Sequence, residues 1–147
     1  MKDPLGFRGA GLLVQRLSIG GLMLFHGVHK IFNGIGGIEK MLEARDLPGF
    51  IAYGVYVGEV LGPLMMILGF KARIGAALVA STMVVSIFLA FSDQIFKLTE
   101  NGGPVIELNL LYLFGAIAVM ISGAGMLSID NYLKSRKKSE KKSSSDK

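Results

Sequence analysis

Residues 74–92 read I-G-A-A-L-V-A-S-T-M-V-V-S-I-F-L-A-F-S, and no charged side chain occurs between Arg73 and Asp93. A helix of this length spans about 30 Å, which is the thickness of the hydrocarbon core of a bilayer. A helix on the surface of a soluble domain would show a polar face, and this stretch shows almost none. The stretch therefore predicts a membrane-spanning helix.

Three further apolar stretches accompany it, at about 11–32, 50–69 and 104–124. Together with the uncharged stretch quoted above, whose span we place at about 73–92, they give four segments of about 20 residues each, the length needed to cross a bilayer. Turns rich in Gly and Pro separate them. This pattern predicts an all-α integral membrane protein built as a four-helix bundle, in which residues 1–133 form one four-span domain.

The formal net charge of +5 belongs to one end of the chain. Residues 134–147 hold seven of the 16 basic residues and two of the 11 acidic ones, so the rest of the chain is neutral. A nucleic-acid-binding domain would spread its basic residues over a folded face. The distribution therefore excludes nucleic acid and favours the lipid bilayer as partner. The Lys- and Ser-rich composition of 134–147 predicts a disordered, basic cytoplasmic tail.

The basic residues also predict the orientation in the membrane, because loops on the cytoplasmic side collect Lys and Arg. Besides the tail, one side of the four-span topology carries Lys2, Arg8, Lys71 and Arg73. The other side carries Lys30, Lys40, Arg45 and Lys97, which nearby acidic residues balance. We therefore expect both the N- and the C-terminus to be cytoplasmic.

Several ionisable side chains fall within the predicted spans, where a charge costs a few kcal/mol or more unless it is paired or hydrated. Glu59 lies near the middle of the second span and can reach either Arg16 or His26 of the first. Two interpretations are open: structural charge pairing inside the bundle, or a small polar pocket that opens to the outer face and binds a ligand or protons. The candidate pocket residues are Arg16, His26, Lys30, Glu59 and Glu107.

No motif of a soluble catalytic site is present, so no catalytic residue is assigned. His26 and His29 do not form a metal site alone, and because the chain has no Cys, further ligands could come only from Glu107 or Asp93. We therefore expect no metal site, no disulfide and no thiol relay within this chain.

Glycines mark the predicted helix contacts, because they let two backbones approach closely. In the first span, Gly20 and Gly27 share a helical stripe with Arg16 and Lys30. The second span carries a doubled G-x-x-x-G pattern, which consists of Gly54, Gly58 and Gly62. Pro63 follows this pattern and frees a backbone carbonyl near Glu59. We expect all five glycines to pack against neighbouring helices.

The order of these motifs resembles that of a known family. Residues 16–30 read R-L-S-I-G-G-L-M-L-F-H-G-V-H-K, and Glu59 follows in G-E-V-L-G-P. A G-x3-R turn runs from Gly69 to Arg73, Gly102-Gly103 precede Glu107, and G-A-G-M-L-S-I-D closes the pattern at 123–130. Over about residues 10–133, the chain resembles the DoxX family of small bacterial integral membrane proteins. The resemblance implies a multi-pass protein of the bacterial inner (plasma) membrane.

The resemblance also implies a redox setting. Some family members are similar to subunits of a thiosulfate:quinone oxidoreductase, and others are linked to thiol and oxidative-stress partners. The implied function is a non-catalytic or accessory membrane subunit of a quinone-linked system. Quinone is then a candidate cofactor, and the candidate partners are a soluble or membrane redox protein and a second copy of the chain. Whether the chain is itself an enzyme stays open.

An alternative within the same resemblance is a membrane assembly factor, a chaperone or a small-solute-binding protein with no redox role. One departure from the family pattern concerns the end of the third span, where many members carry a His. This chain has Asp93-Gln94 there, which argues against a redox role that depends on that His. Because Cys is absent, any thiol chemistry belongs to a partner or a substrate.

Overall fold

The computed structural model describes residues 7–145, without the side chains of Arg8 and of residues 139–145. Within this range the chain forms helices joined by turns, and its only β-type pairing is an isolated bridge between Leu98 and Pro104. The helices are α1 (Phe7–Asn33), α2 (Gly36–Glu43), α3 (Gly49–Leu68), α4 (Ala72–Ala90), α5 (Glu107–Ser122) and α6 (Ile129–Ser145). The prediction of an all-α fold is confirmed.

Four of these helices contact one another in a closed circuit. Helix α4 packs along α3 and α5, and α1 completes the circuit by contacting both α3 and α5. Buried side chains fill the space between the four helices, among them Met23, Met66, Val79, Tyr112 and Val119. Because α4 and α5 also meet through the fully buried Ala76 and Ala116, their backbones approach closely.

The outward faces of the same helices are apolar. Phe25, Phe88, Phe114 and Ile121 expose between 62% and 75% of their surface. Soluble monomers rarely expose large contiguous apolar patches. Helices α1, α3 and α4 are also long and apolar enough to cross a membrane. Lipid is the environment that suits such a surface, so the chain is a membrane protein.

Helix α3 departs from regular α-helical geometry in the middle. Its residues Val57–Leu61 form a π-helical turn, in which the Gly62 N–H donates to the carbonyl of Val57, five residues back. Pro63 follows directly and has no N–H to donate to Glu59, four residues back. Turns of this kind occur frequently at functional sites. Glu59 lies on this turn and is buried.

Helix α3 ends sharply at Gly69, which adopts the left-handed conformation with φ +65°. The N–H of Gly69 donates to the carbonyl of Met66 at 3.1 Å, and that of Phe70 donates to the carbonyl of Met65 at 3.0 Å. This pair of hydrogen bonds is a Schellman motif, and it favours Gly because L side chains are strained at positive φ. The predicted G-x3-R turn thus reverses the chain from α3 into α4.

The fourth predicted span, at about 104–124, is shorter in the structure. Pro104 and the two residues after it form a turn, so α5 begins only at Glu107 and ends at Ser122. Its 16 residues extend about 24 Å, less than the roughly 30 Å of a hydrocarbon core. The described residues therefore hold three helices of spanning length and one shorter apolar helix.

A disordered tail is predicted for residues 134–147, and the structure differs from this over 134–145, where α6 continues to Ser145. The prediction rested on the lack of apolar residues to pack. Lys, Arg and Glu are nonetheless good helix formers, and a solvated helix needs no packed face. Lys2, Asp146 and Lys147 lie outside the described residues, as does the side chain of Arg8.

Candidate functional site

An ion pair between Lys30 and Glu59 lies within the apolar body. Lys30 Nζ donates to Glu59 Oε2, and these side chains are 25% and 8% exposed, respectively. Pairing offsets much of the cost of placing either charge in hydrocarbon. Since a quarter of the Lys30 side chain stays accessible, the pair can be approached from one side.

The ion pair follows from the close approach of α1 to α3. A Cβ atom added to Gly27 would overlap the backbone carbonyl of Glu59, so only Gly fits at this contact. Lys30 lies almost one turn beyond Gly27 on the same helical stripe. The hydroxyl of Tyr56 donates to the carbonyl of Lys30 at 3.2 Å, which also fixes the end of α1 against α3.

The Lys30–Glu59 pair forms part of the wall of a half-open cavity of about 370 Å³ that lies between α2, α3, α4 and the end of α1. The rest of the lining is largely apolar and includes Ile38, Met41, Leu42, Ile51, Val55, Val85 and Leu89. Hydroxyl groups of Ser81, Thr82 and Ser86 add a few polar positions. A mostly apolar cavity of this size with a few polar groups is typical of small-molecule sites.

Two of the hydroxyls in this cavity already have partners. Thr82 Oγ1 donates to the carbonyl of Leu78 at 3.0 Å. Ser86 Oγ accepts a hydrogen bond from Asn109 Nδ2 at 3.2 Å, which leaves its own proton available to donate. The cavity therefore offers a cationic donor at Lys30 and a neutral donor at Ser86.

Helix α2 covers one end of the cavity. Its Leu42 is 3% exposed and packs in a small cluster with Ile35 and Ala52. Arg45, just after α2, donates to the carbonyl of Phe88 at 2.7 Å and to Ser92 Oγ at 2.9 Å, which fastens this cover to the end of α4.

The sequence analysis missed the role of α2, although a signal was present. Ile35, Ile38 and Leu42 recur at spacings of three and four, which is the pattern of an amphipathic helix with one buried face.

His26 and Glu107, two predicted pocket residues, do not line this cavity. His26 is exposed, and its ring meets the ring of Tyr112 edge-on, with 5.8 Å between centroids. Glu107 is exposed at the first position of α5, beside Gly103. Their predicted role in a shared pocket has no support in these positions.

Arg16 also lies apart from the cavity, near the other end of α3. It is 1% exposed, and its Nη2 donates to the carbonyl of Leu127 at 2.5 Å. Its Nε and Nη1 have no hydrogen-bond partner within residues 7–145. Arg16 precedes Gly27 by about 16 Å of helix, so the carboxylate of Glu59 reaches Lys30 instead. Arg16 and His26 were the two partners expected for Glu59, and neither of them pairs with it in the structure.

Four of the five predicted packing glycines lie at helix contacts. A Cβ added to Gly20 would lie 3.1 Å from the carbonyl oxygen of Pro63, and a Cβ added to Gly62 would lie 2.9 Å from the carbonyl oxygen of Gly75. At Gly27 and Gly58 it would overlap the backbone of Glu59 and the side chain of Thr82, respectively. Gly54 differs, because no heavy atom lies within 4 Å of its added Cβ, and it lines the cavity instead.

A sequence model of the DoxX family matches residues 11–92, which include both members of the ion pair. The chain belongs to the DoxX family. It is 32% identical over 123 residues to "Inner membrane protein YqjF" of Escherichia coli (strain K12), an alignment that covers 84% of this chain and 92% of that protein. It is 27% identical over 128 residues to "Putative oxidoreductase CatD" of Bacillus subtilis (strain 168), with 87% and 90% covered. No solved structure shows a significant match.

The closing part of the DoxX-like pattern, at 123–130, has a structural explanation. Asp130 Oδ1 accepts the N–H of Lys71 at 2.8 Å, and Oδ2 accepts the N–H of Ala72 at 3.2 Å. The N–H of Asp130 in turn donates to the carbonyl of Gly69 at 2.9 Å. These bonds cap the start of α4 and fasten the start of α6 to the turn between α3 and α4. They lie at the end of α4 away from the cavity.

Proposed function

We propose that this DoxX-family protein is an accessory membrane subunit of a quinone-linked redox system and that it holds a quinone ring in the cavity between α2, α3 and α4. The observation that carries this proposal is the buried Lys30–Glu59 pair in an otherwise apolar cavity wall. The name of the relative called an oxidoreductase supports a redox setting.

The chemistry of the lining fits a quinone. A quinone ring is flat and largely apolar, and its two carbonyl oxygens accept hydrogen bonds. The ammonium group of Lys30 has three N–H donors, so it can keep its bond to Glu59 and donate another to a carbonyl oxygen. The cavity volume of about 370 Å³ lies within the usual range for small-molecule sites.

The residues of this chain would bind the ring and manage protons. Full reduction of a quinone takes up two electrons and two protons. In the ion pair the proton is on Lys30 Nζ, so the ammonium group is placed to donate it to the carbonyl oxygen that it contacts, while the Glu59 carboxylate holds the ammonium group in position. The electrons would come from a redox partner, because the chain has no Cys and thus no thiol relay of its own.

We further propose that α1, α3, α4 and α5 form a transmembrane four-helix bundle in the bacterial inner membrane, with both termini in the cytoplasm. The closed circuit of helix contacts supports the bundle. Asp130 supports a position of α6 on the side of the turn between α3 and α4, because it joins the start of α6 to that turn. Leu12, near the start of α1, lies beside Gly125 and supports the same side for the N-terminus. The basic residues of that turn and of the tail favour the cytoplasmic side.

The binding proposal is tested with decylubiquinone and the purified full-length protein in mild detergent. Gly54→Leu places a side chain in the cavity without a backbone clash, since an added Cβ there meets nothing within 4 Å. We expect Gly54→Leu and Lys30→Met to weaken binding at least tenfold in a calorimetric titration. Gly21→Leu is the matched control, because its added Cβ also meets nothing within 4 Å but lies outside the cavity lining. Equal binding by Gly54→Leu and wild type would overturn the proposal.

A second test separates a redox role from that of an assembly factor, a chaperone or a solute-binding protein. Membranes that contain the native redox partner are assayed for quinone reduction with wild-type protein, Gly54→Leu or Glu59→Gln. A redox subunit predicts normal accumulation of the variants in the membrane and a lowered rate of quinone reduction. If the variants lose only expression or stability while the rate per folded protein is unchanged, the non-redox alternative is favoured.

A further inference from the structure

A second cavity of about 390 Å³ lies at the other end of the molecule, between the start of α4, the end of α5 and the start of α6. Three basic side chains line it, those of Lys71, Arg73 and Lys134, together with a single carboxylate, that of Asp130. Gly123 and Gly125, with φ of +81° and +73°, turn the chain around this cavity between α5 and α6.

The carboxylate does not neutralise these cations. Three cations outnumber this one carboxylate, whose two oxygens both accept backbone N–H groups at the start of α4. Lys71, Arg73 and Lys134 are all exposed. Arg73 donates one hydrogen bond, to the carbonyl of Ile121 at 3.3 Å, and it keeps further N–H donors. The cavity therefore presents an excess of positive charge.

The surroundings of this cavity are those of a bilayer surface. Ile74 and Ile121 are 53% and 72% exposed on the helices that lead away from it, so an apolar belt adjoins the basic cavity directly. Helix α6, which carries further Lys and Arg residues, lies on its other side. In a membrane, the junction of an apolar belt with basic residues lies at the level of the lipid phosphates.

We propose that this basic cavity binds the phosphate headgroup of an anionic phospholipid. Lys71 and Lys134 supply charge to the phosphate, and Arg73 supplies a planar donor group. The lipid acyl chains would extend along the apolar faces near Ile74 and Ile121. Such a lipid would contact α4, α5 and α6 together and so stabilise the junction that Asp130 makes. The site is separate from the proposed quinone cavity.

The test titrates the purified full-length protein in detergent with phosphatidylglycerol and with phosphatidylcholine of the same acyl chains, and native mass spectrometry counts the bound lipid. We expect one phosphatidylglycerol to bind in preference to phosphatidylcholine. Lys71→Asn/Lys134→Gln should weaken this binding about tenfold, since each cation near a membrane surface contributes to anionic lipid binding. Asn is chosen at position 71 because it tolerates the φ of +46° found there.

Lys137→Gln/Lys138→Gln is the matched control, because it also removes two positive charges, both from α6 and both outside the cavity lining. Retained binding by this control supports the site, whereas an equal loss in both double variants would show general charge attraction and overturn it. If inorganic phosphate at millimolar concentration binds with a stoichiometry of one and displaces the lipid, the ligand is free phosphate and the lipid assignment is wrong. Lys134→Gln alone repeats the test if the turn at Lys71 does not tolerate substitution.

Discussion

Gly27 shows how strongly a single residue constrains the site. It is buried where α1 meets α3, and an added Cβ would overlap the carbonyl of Glu59, which is backbone and cannot rotate away. Overpacking of this kind costs about 1–3 kcal/mol. We therefore predict that Gly27→Ala lowers the thermal unfolding midpoint of the detergent-solubilised protein and disturbs the Lys30–Glu59 pair.

Gly21 provides the matched control for this prediction. It lies on the same helix, but an added Cβ there meets nothing within 4 Å. Because Ala is the better helix former by about 1 kcal/mol, Gly21→Ala should leave the unfolding midpoint unchanged or raise it. Similar midpoints for the two variants would show that α1 and α3 are not in close contact at Gly27.

Lys30 and Glu59 could be identified from the sequence as buried charges, but their pairing could not. A charge within an apolar stretch needs a partner, and depth along the predicted spans indicates Arg16 or His26, and not Lys30, as the partner of Glu59. The choice among them depends on where two helices touch. Gly27 brings α1 against the π-helical turn that carries Glu59, and sequence periodicity does not predict such a turn. Arg16 instead reaches Leu127, a contact between residues that are distant in sequence.

At the level of elements, the junction of α6 with α4 depends on Asp130. Its carboxylate accepts two backbone N–H groups that would otherwise lack partners at the start of α4, and it lies near the buried Arg16. Loss of a helix cap costs about 0.5–2 kcal/mol. We predict that Asp130→Ala lowers the unfolding midpoint and speeds tryptic cleavage after Lys71 and Lys134, the lysines on the two sides of this junction, while Asp130→Asn, which keeps one oxygen acceptor, has a smaller effect.

Asp93→Ala is the control, because Asp93 is exposed in the turn after α4, at the cavity end. If trypsin cleaved the Asp130→Ala protein no faster than the Asp93→Ala protein, the Asp130 carboxylate would not be what holds α6 in place. If cleavage became faster while the unfolding midpoint stayed the same, Asp130 would stabilise only the junction of α6 with α4 and not the whole fold.

The sequence predicted individual elements unequally well, for physical reasons. The uncharged stretch 74–92 corresponds closely to α4, because length and hydropathy alone define a membrane-spanning helix. The start of α5 was placed too early, since an apolar composition does not distinguish a turn at Pro104 from the first turn of a helix. Residues 134–145 were expected to be disordered because composition measures packing potential and not helix propensity.

At the scale of the whole molecule, the two cavities lie at opposite ends of the helices. The Lys30–Glu59 cavity is bounded by the start of α3 and the end of α4, and the basic cavity adjoins the turn between these helices. If the helices cross the membrane, a quinone and an anionic headgroup would occupy opposite leaflets. The orientation of the molecule therefore decides which cavity faces the cytoplasm.

The length of α5 makes the topology testable at one helix. Its 16 residues are short for a membrane span, so one labelling site before α5 and one after it are needed to show on which side of the membrane each end lies. The chain has no Cys, and Asn101 and Ser135 are exposed and uncharged, so Asn101→Cys and Ser135→Cys each add one thiol. We predict that a membrane-impermeant maleimide labels Asn101→Cys in intact spheroplasts and Ser135→Cys only after permeabilisation. Labelling of both variants in intact spheroplasts would mean that α5 does not cross and that the four-span topology is wrong. Labelling of Ser135→Cys alone would preserve the crossing but invert the orientation, which would place the basic cavity in the outer leaflet.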